Sequence, residues 1–420
     1  MRLRWTVLIS LLLSVSINYA QKTGVVLSGG GASGLAHVGF LKALEKEGIP
    51  IDFICGTSVG AFIGGMYASG YTPEQIERFV TSDQFKKLTA GQIEKKYMYF
   101  FKKGEDNASW FSFNLNLDST FLNNIPTNMI NSVPLDFKMM ELFSEPGAKS
   151  NNNFDSLMIP FRCVASDFVK KESVIFKNGN MSSAIRASMT YPFYLRPITR
   201  DGVMFMDGGL YNNFPSNIMY SDFFPDYIIG CSVTGNSPPP DDENFYLMMR
   251  NMLMSKSDFK PVCENGIIIQ PFSDVGLFDF ESAQRLIDSG YAITMRKIDS
   301  IKMNVTRRAD PEELAAKRAK FRKIEKPVLF ESLEIEGLKK SQATYVRRLL
   351  FKKDKTLDFA KLSSRFYKLA ADDKIKYLYP TAEPDPLTGN YKLKLSMKKE
   401  NFQAFKDKMN SLLQPIPHPL

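Results

Sequence analysis

Three short stretches hold residue types whose spacing suits acyl chemistry. Ser58 is centred in Gly56-Thr57-Ser58-Val59-Gly60, directly after the apolar run IDFIC and before the small-residue run AFIGGMYA. A serine between a strand and a helix, with small neighbours, turns sharply enough to lift its hydroxyl clear of a sheet. The following helix would turn its positive end toward charge developing there. Asp207 ends the run VMFMD and is followed by Gly208 and Gly209, so its carboxylate belongs at a strand end, where strand-end groups converge. Taken alone, MDGG reads equally as an Asp-Gly turn; beside Ser58 it reads better as the base of a dyad. Gly29, Gly30 and Gly31 follow the run TGVVLS and open a helix-like segment, where consecutive N–H groups can hold a phosphate or an oxyanion.

A serine nucleophile needs a base, and histidine is nearly absent. The chain has two, His37 and His418. His37 lies one turn into an amphipathic helix, where a structural role is the simpler account, and His418 is in a proline-rich tail. A Ser-His-Asp triad is therefore disfavoured, and a carboxylate must act directly. Asp155, Asp167 and Asp222 lack the setting of Asp207. The same glycines, with Gly34, also satisfy G-x-G-x-x-G, but a dinucleotide site wants an acidic residue ending the second strand. IDFICG offers none at that place, so nucleotide binding is disfavoured. The absence of a Cys-x-x-Cys or a His/Cys cluster disfavours zinc.

The elements that must position these groups read as strand, glycine loop, helix, strand, tight turn and helix from Thr23 onward. Leu35, Val38, Leu41 and Leu44 recur at helical spacing. Further buried strands are expected at MIPFRCVASD, VMFMDGG, YIIGCSVTG and GIIIQP, which predicts an α/β domain with a mainly parallel central sheet over residues 23–305. Residues 87–155, richer in Asn, Phe, Lys and Ser, read as an insertion or cap. Its Phe100, Phe101, Phe111 and Phe113 suit either an acyl groove or ordinary core. Residues 306–326 form a charged helical connector. Residues 327–398 carry a strand–helix–helix–strand–strand rhythm, a small α+β unit, and residues 399–420 form a tail.

The chain has 420 residues, is 44% hydrophobic and 24% charged, and has a formal net charge of +9. That excess favours anionic surfaces such as lipid headgroups, but it is too diffuse for nucleic acid. Residues 1–20, with Arg2 and Arg4 ahead of a short apolar run ending at Ala20, have the layout of a secretory signal peptide. Asn18 does not suit the position three before the cut, and an uncleaved anchor is the alternative. Cys55, Cys163, Cys231 and Cys263 permit two disulfides, although buried free thiols fit a core of this size better.

Gly29-Gly30-Gly31-x-x-Gly34, Gly56-Thr57-Ser58-Val59-Gly60 and Asp207-Gly208-Gly209, with RASMTYPFYLRPI before the aspartate and NNFPS after it, resemble in order and setting the patatin-like phospholipase family. The resemblance covers residues 23–305 and implies a three-layer α/β/α fold. It makes Ser58 the nucleophile, Asp207 the base and Gly29 to Gly31 the oxyanion hole of a metal-free, cofactor-free hydrolase of phospholipids or other acyl lipids. Many members carry Arg or Lys just before the last glycine of the first motif; Ser33 stands there instead. The change is expected to lower activity or alter headgroup preference without abolishing catalysis. Residues 327–398 resemble a POTRA domain, the periplasmic module that precedes outer-membrane barrels. Together with the leader, this implies an envelope protein of a Gram-negative bacterium, working at a membrane surface, with no alternating barrel strands in the sequence given. The competing expectation is a non-catalytic envelope scaffold acting through the POTRA-like unit.

Overall fold

A computed structural model describes residues 21–97, 128–235, 248, 251–261, 265–271, 274–323, 327–372 and 375–399. The leader, Phe100, Phe101, Phe111, Phe113, Cys263, His418 and the tail beyond Lys399 lie outside the described residues.

The main sheet has eight strands: β1 (Thr23–Leu27), β2 (Phe53–Thr57), β3 (Phe161–Asp167), β4 (Glu172–Phe176), β5 (Ile198–Arg200), β6 (Val203–Asp207), β7 (Tyr227–Cys231) and β8 (Gly266–Ile269). The five strands in the order β3-β2-β1-β7-β8 run parallel. Strands β4 and β6 both pair antiparallel with β3, and β5 continues antiparallel from β6. The parallel half is buried on both faces, which is why its strands are continuous apolar runs. Val25, Leu27, Ile54, Cys163 and Ile229 point into one core cluster. Val26, Cys55, Val164 and Ile228 alternate into the other, a smaller one closed by Phe214, Ile218 and Met219. Cys55, Cys163 and Cys231 are buried free thiols.

Helices α1 (Ala36–Lys46) and α2 (Val59–Ala68) connect the first strands, and α3 (Pro73–Val80), α4 (Asp83–Thr89) and α5 (Val133–Lys149) follow. Next come α6 (Met181–Ser188), α7 (Ser216–Phe223), α8 (Ala283–Asn304) and α9 (Pro311–Arg322). The charged helix α9 lies against the first layer: Arg318 grips Glu45 with two N–H groups at 3.0 and 2.9 Å, and Arg322 stacks 3.9 Å from the Tyr71 ring centre.

The last elements are β9 (Phe330–Glu336), α10 (Lys340–Phe351), α11 (Phe359–Ala370), β10 (Ile375–Pro384) and β11 (Tyr391–Lys399). Their sheet has the order β10-β11-β9, with β10 antiparallel and β9 parallel to β11. Helix α5, in the stretch read as an insertion or cap, joins the two units. Phe137 and Met140 enter the core beneath the three-stranded sheet, while Leu142 and Phe143 belong to the main core. On the same seam Arg186 of α6 meets Asp136 of α5 at 2.5 Å, both side chains being buried. Asn180 donates to the Ala382 carbonyl at 3.1 Å, and the Tyr379 hydroxyl bonds Ser183 at 3.1 Å. No described helix is long and apolar enough to cross a membrane.

Candidate active site

Ser58 caps α2 with φ 55° and ψ −127°, a conformation an L-residue holds only under strain. The strain follows from the turn: the chain leaves β2 and enters α2 with no residue to spare. Gly60 allows it, because a Cβ there would fall 2.5 Å from the carbonyl oxygens of Leu27 and Ser28. Gly34 seats the glycine loop against Val59 of the serine motif, Gly56 backs onto Gly60 within that motif, and Gly208 backs onto the Val164 carbonyl of β3.

The Ser58 hydroxyl donates to Asp207 Oδ2 at 2.6 Å. The other carboxylate oxygen, Oδ1, accepts from the Gly209 N–H at 2.7 Å. The Asp207 backbone is also fixed: its N–H donates to the Thr190 carbonyl at 2.8 Å, and its carbonyl accepts from Ser166 Oγ at 2.9 Å. Ser58 and Asp207 are 7% and 3% exposed. Burial pushes the Asp207 carboxyl up to about 7 against the opposing pull of the Ser58 and Gly209 hydrogen bonds. A carboxylate in that range can take and return a proton near neutral pH, which an ordinary surface aspartate does poorly.

Of the three glycines, Gly29 already donates its N–H to the Asn213 carbonyl at 3.1 Å, and the next amide in line, Ala32, donates to the Leu277 carbonyl at 2.8 Å. The amides of Gly30 and Gly31 have no acceptor among the described residues, and both glycines line the same cleft as Ser58 and Asp207, a cavity of about 30 Å³. Two free donors beside a nucleophile are what an oxyanion needs. Ser33 is buried in the short helical turn after them.

His37 is fully buried on α1, and its Nε2–H donates to the Ser28 carbonyl at 2.8 Å. Burial draws its pKa down to about 4, so the ring is neutral, and it braces the strand leading into the glycine loop. Among the described residues no group of three or more His, Cys, Asp or Glu is placed to hold a metal ion.

Sequence reasoning passed over one supporting residue. Ser188, at the end of α6, accepts from the Ser58 N–H at 2.8 Å and donates to the Val164 carbonyl at 2.5 Å. It therefore uses the amide of the nucleophile itself and fixes the elbow from behind. Ser188 and Thr190 lie in RASMTYP, so the stretch was conspicuous, but residue type alone did not connect it to Ser58.

Part of the chain is similar to known proteins. Residues 25–220 match the family described as "Patatin-like phospholipase", and they form a patatin-like phospholipase domain. Patatin-like phospholipase domain-containing protein ZK370.4 of Caenorhabditis elegans is 32% identical over 203 residues, 47% of this chain and 12% of that protein. Lysophospholipase NTE1 of Debaryomyces hansenii is 31% identical over 195 residues, 46% of this chain and 11% of that protein. The aligned part is thus about an eighth or less of either relative. VipD from Legionella pneumophila aligns at a TM-score of 0.36 and 15% identity over 67% of each chain, too loosely to bear on the fold.

Proposed function

We propose that the patatin-like domain is a serine acyl-ester hydrolase that releases fatty acids from phospholipids or related lipids. The observation that carries this reading is the 2.6 Å bond from Ser58 Oγ to the buried carboxylate of Asp207. As Oγ attacks the ester carbonyl, its proton passes to Asp207 Oδ2, and the developing oxyanion is held by the amides of Gly30 and Gly31. The alcohol leaves with that proton. Water then gives a proton to Asp207 and attacks the acyl-serine; the proton returns to Ser58 Oγ as the fatty acid departs. No metal or redox partner enters this sequence. The relatives' names, a lysophospholipase among them, support a lipid substrate.

The same proposal puts the enzyme at the envelope of a Gram-negative bacterium. The leader-like residues 1–20, the net charge of +9 and the POTRA resemblance of residues 327–398 support that location.

The test is fatty-acid release from mixed phospholipid vesicles and p-nitrophenyl esters by the full chain and by Ser58→Ala and Asp207→Ala. Hydrolysis lost in both folded variants is the expected result. Equal hydrolysis in the wild type and both variants would overturn the dyad.

A further inference from the structure

We propose that Asn213 is a third catalytic side chain, whose carboxamide donates an N–H to the acyl oxygen of an ester held at Ser58. The inference rests on the hydrolase reading above and adds a donor to it.

Asn213 is 7% exposed and lines the cleft with Ser58, Asp207, Gly30 and Gly31. Its backbone is held on both sides: the N–H donates to Ser257 Oγ at 3.0 Å and the carbonyl accepts from Gly29 at 3.1 Å. Its carboxamide, by contrast, makes no hydrogen bond to any described residue. The carboxamide is not among the sealed, unpaired polar groups of the described residues, so it is open to the cleft it lines, where water or a ligand can pair with it.

The position of the group says which end is available. Its Oδ1 is wedged between the glycine motif and the aspartate loop. A Cβ built on Gly29 would lie 2.4 Å from Oδ1 and 3.0 Å from Ser58 Cβ, and one on Gly209 would lie 2.7 Å from Oδ1. The oxygen thus packs against the C–H groups of two glycines, an arrangement that suits an acceptor and would waste a donor. The NH₂ end is left for the cleft. It cannot serve as a base, and it makes no hydrogen bond to Asp207, whose oxygens accept from Ser58 and Gly209. What remains for it is the substrate's acyl oxygen, next to the Gly30 and Gly31 amides. With Gly29 N–H spent on the Asn213 carbonyl, this residue both removes one backbone donor from the loop and supplies a side-chain donor in its place.

The experiment compares the full-length wild type with Ser58→Ala, Asn213→Ala and Asn213→Leu; leucine keeps the outline of asparagine without a donor or a charge. On p-nitrophenyl butyrate, both Asn213 variants should lose about 10²–10³-fold in kcat with KM changed less than threefold. The pH at half-maximal rate should stay in place, because Asp207 keeps its partners. Inhibition by an aryl trifluoromethyl ketone, which forms a tetrahedral adduct on the serine, should weaken in parallel with kcat/KM, a correlation that a purely packing role would not produce. If kcat in either folded variant stays within threefold of wild type while Ser58→Ala is inactive, the donor role is wrong and the dyad stands. If the wild type shows no serine-dependent hydrolysis, the dyad reading fails and the donor role with it. Loss of cooperative melting in both Asn213 variants would make the residue structural and overturn the role.

Discussion

Thr57 and Asp207 stand at successive registers along one edge of β3, opposite Val164 and Ala165 respectively. The other edge of β3 is taken by β4. Strand β2 therefore runs parallel to β3 and stops at Thr57, while β6 runs the opposite way and stops at Asp207. The two strands point at each other's ends along a single neighbour. Ser58, one residue past the first end, is brought to 2.6 Å from a carboxylate 149 positions away in sequence. Of the two strands that pair antiparallel with β3, β6 is the one that carries the base.

The pH dependence of the rate follows from that carboxylate. Asp207 must be ionised to accept the Ser58 proton, and its pKa is about 7. kcat/KM on a soluble ester should climb with pH through a midpoint near 7 and level off by about pH 8–9, with no falling limb from a histidine acid. A rate independent of pH between 5 and 9 would rule out Asp207 as the base.

Stability should bear the opposite sign. The folded state keeps the Asp207 proton up to about pH 7, whereas an unfolded aspartate releases it near 3.9. Between these values the folded chain binds more protons, so stability falls as pH rises through the window, by at most about 4 kcal/mol. Asp207→Asn keeps an acceptor for Gly209 and removes the buried charge. In urea melts it should be more stable than wild type at pH 8, and the difference should shrink steadily toward pH 4. A difference that grows on acidification would contradict the buried-carboxylate account.

Backbone strain at the nucleophile gives a separate test. At φ 55° and ψ −127°, Ser58 holds a conformation that costs about 1–3 kcal/mol for a residue with a Cβ and little for glycine. Ser58→Ala and Ser58→Gly both remove the hydroxyl and leave Asp207 without that donor, so their difference isolates the backbone. Both should be inactive, and Ser58→Gly should be the more stable by about 1 kcal/mol despite glycine's freedom in the unfolded chain. If Ser58→Ala were instead the more stable by about 0.4–1 kcal/mol, glycine's full cost in the unfolded chain, the turn would carry no strain.

The parts legible in sequence were those encoded locally. An apolar run ending in G-T-S-V-G forces a strand-turn-helix corner, and VMFMD followed by two glycines forces a strand end, so Ser58 and Asp207 could be singled out without knowing how they meet. Ser188 and Asn213 could not, because their value comes from contacts made only after folding: 130 residues separate Ser188 from the amide it accepts. Helix α5 shows the same limit. Phe137, Met140, Leu142 and Phe143 are all apolar, and periodicity cannot say that the first two serve the C-terminal core and the last two the main one. Strand direction was equally hidden, since β6 has the same buried apolar character at its end as its parallel neighbours.

Ser188 offers the sharpest test of support from behind the dyad. Its hydroxyl is both the acceptor for the Ser58 N–H and a donor to the Val164 carbonyl. Ser188→Ala strands both groups in a buried site, which should destabilise the protein by about 1–3 kcal/mol. The free Ser58 amide can then drift from its position, so kcat should fall about tenfold or more while KM holds, since small misplacements of a nucleophile are expensive. The contrast is Tyr379→Phe. Tyr379 bonds Ser183 on the same helix, from the C-terminal unit; its loss should leave kcat within twofold, because Ser183 lies more than a turn from Ser188. If Tyr379→Phe lowered kcat as much as Ser188→Ala, the hydroxyl of Ser188 would not be the specific support, and the docking of the C-terminal unit on α6 would have to be what holds the nucleophile in place.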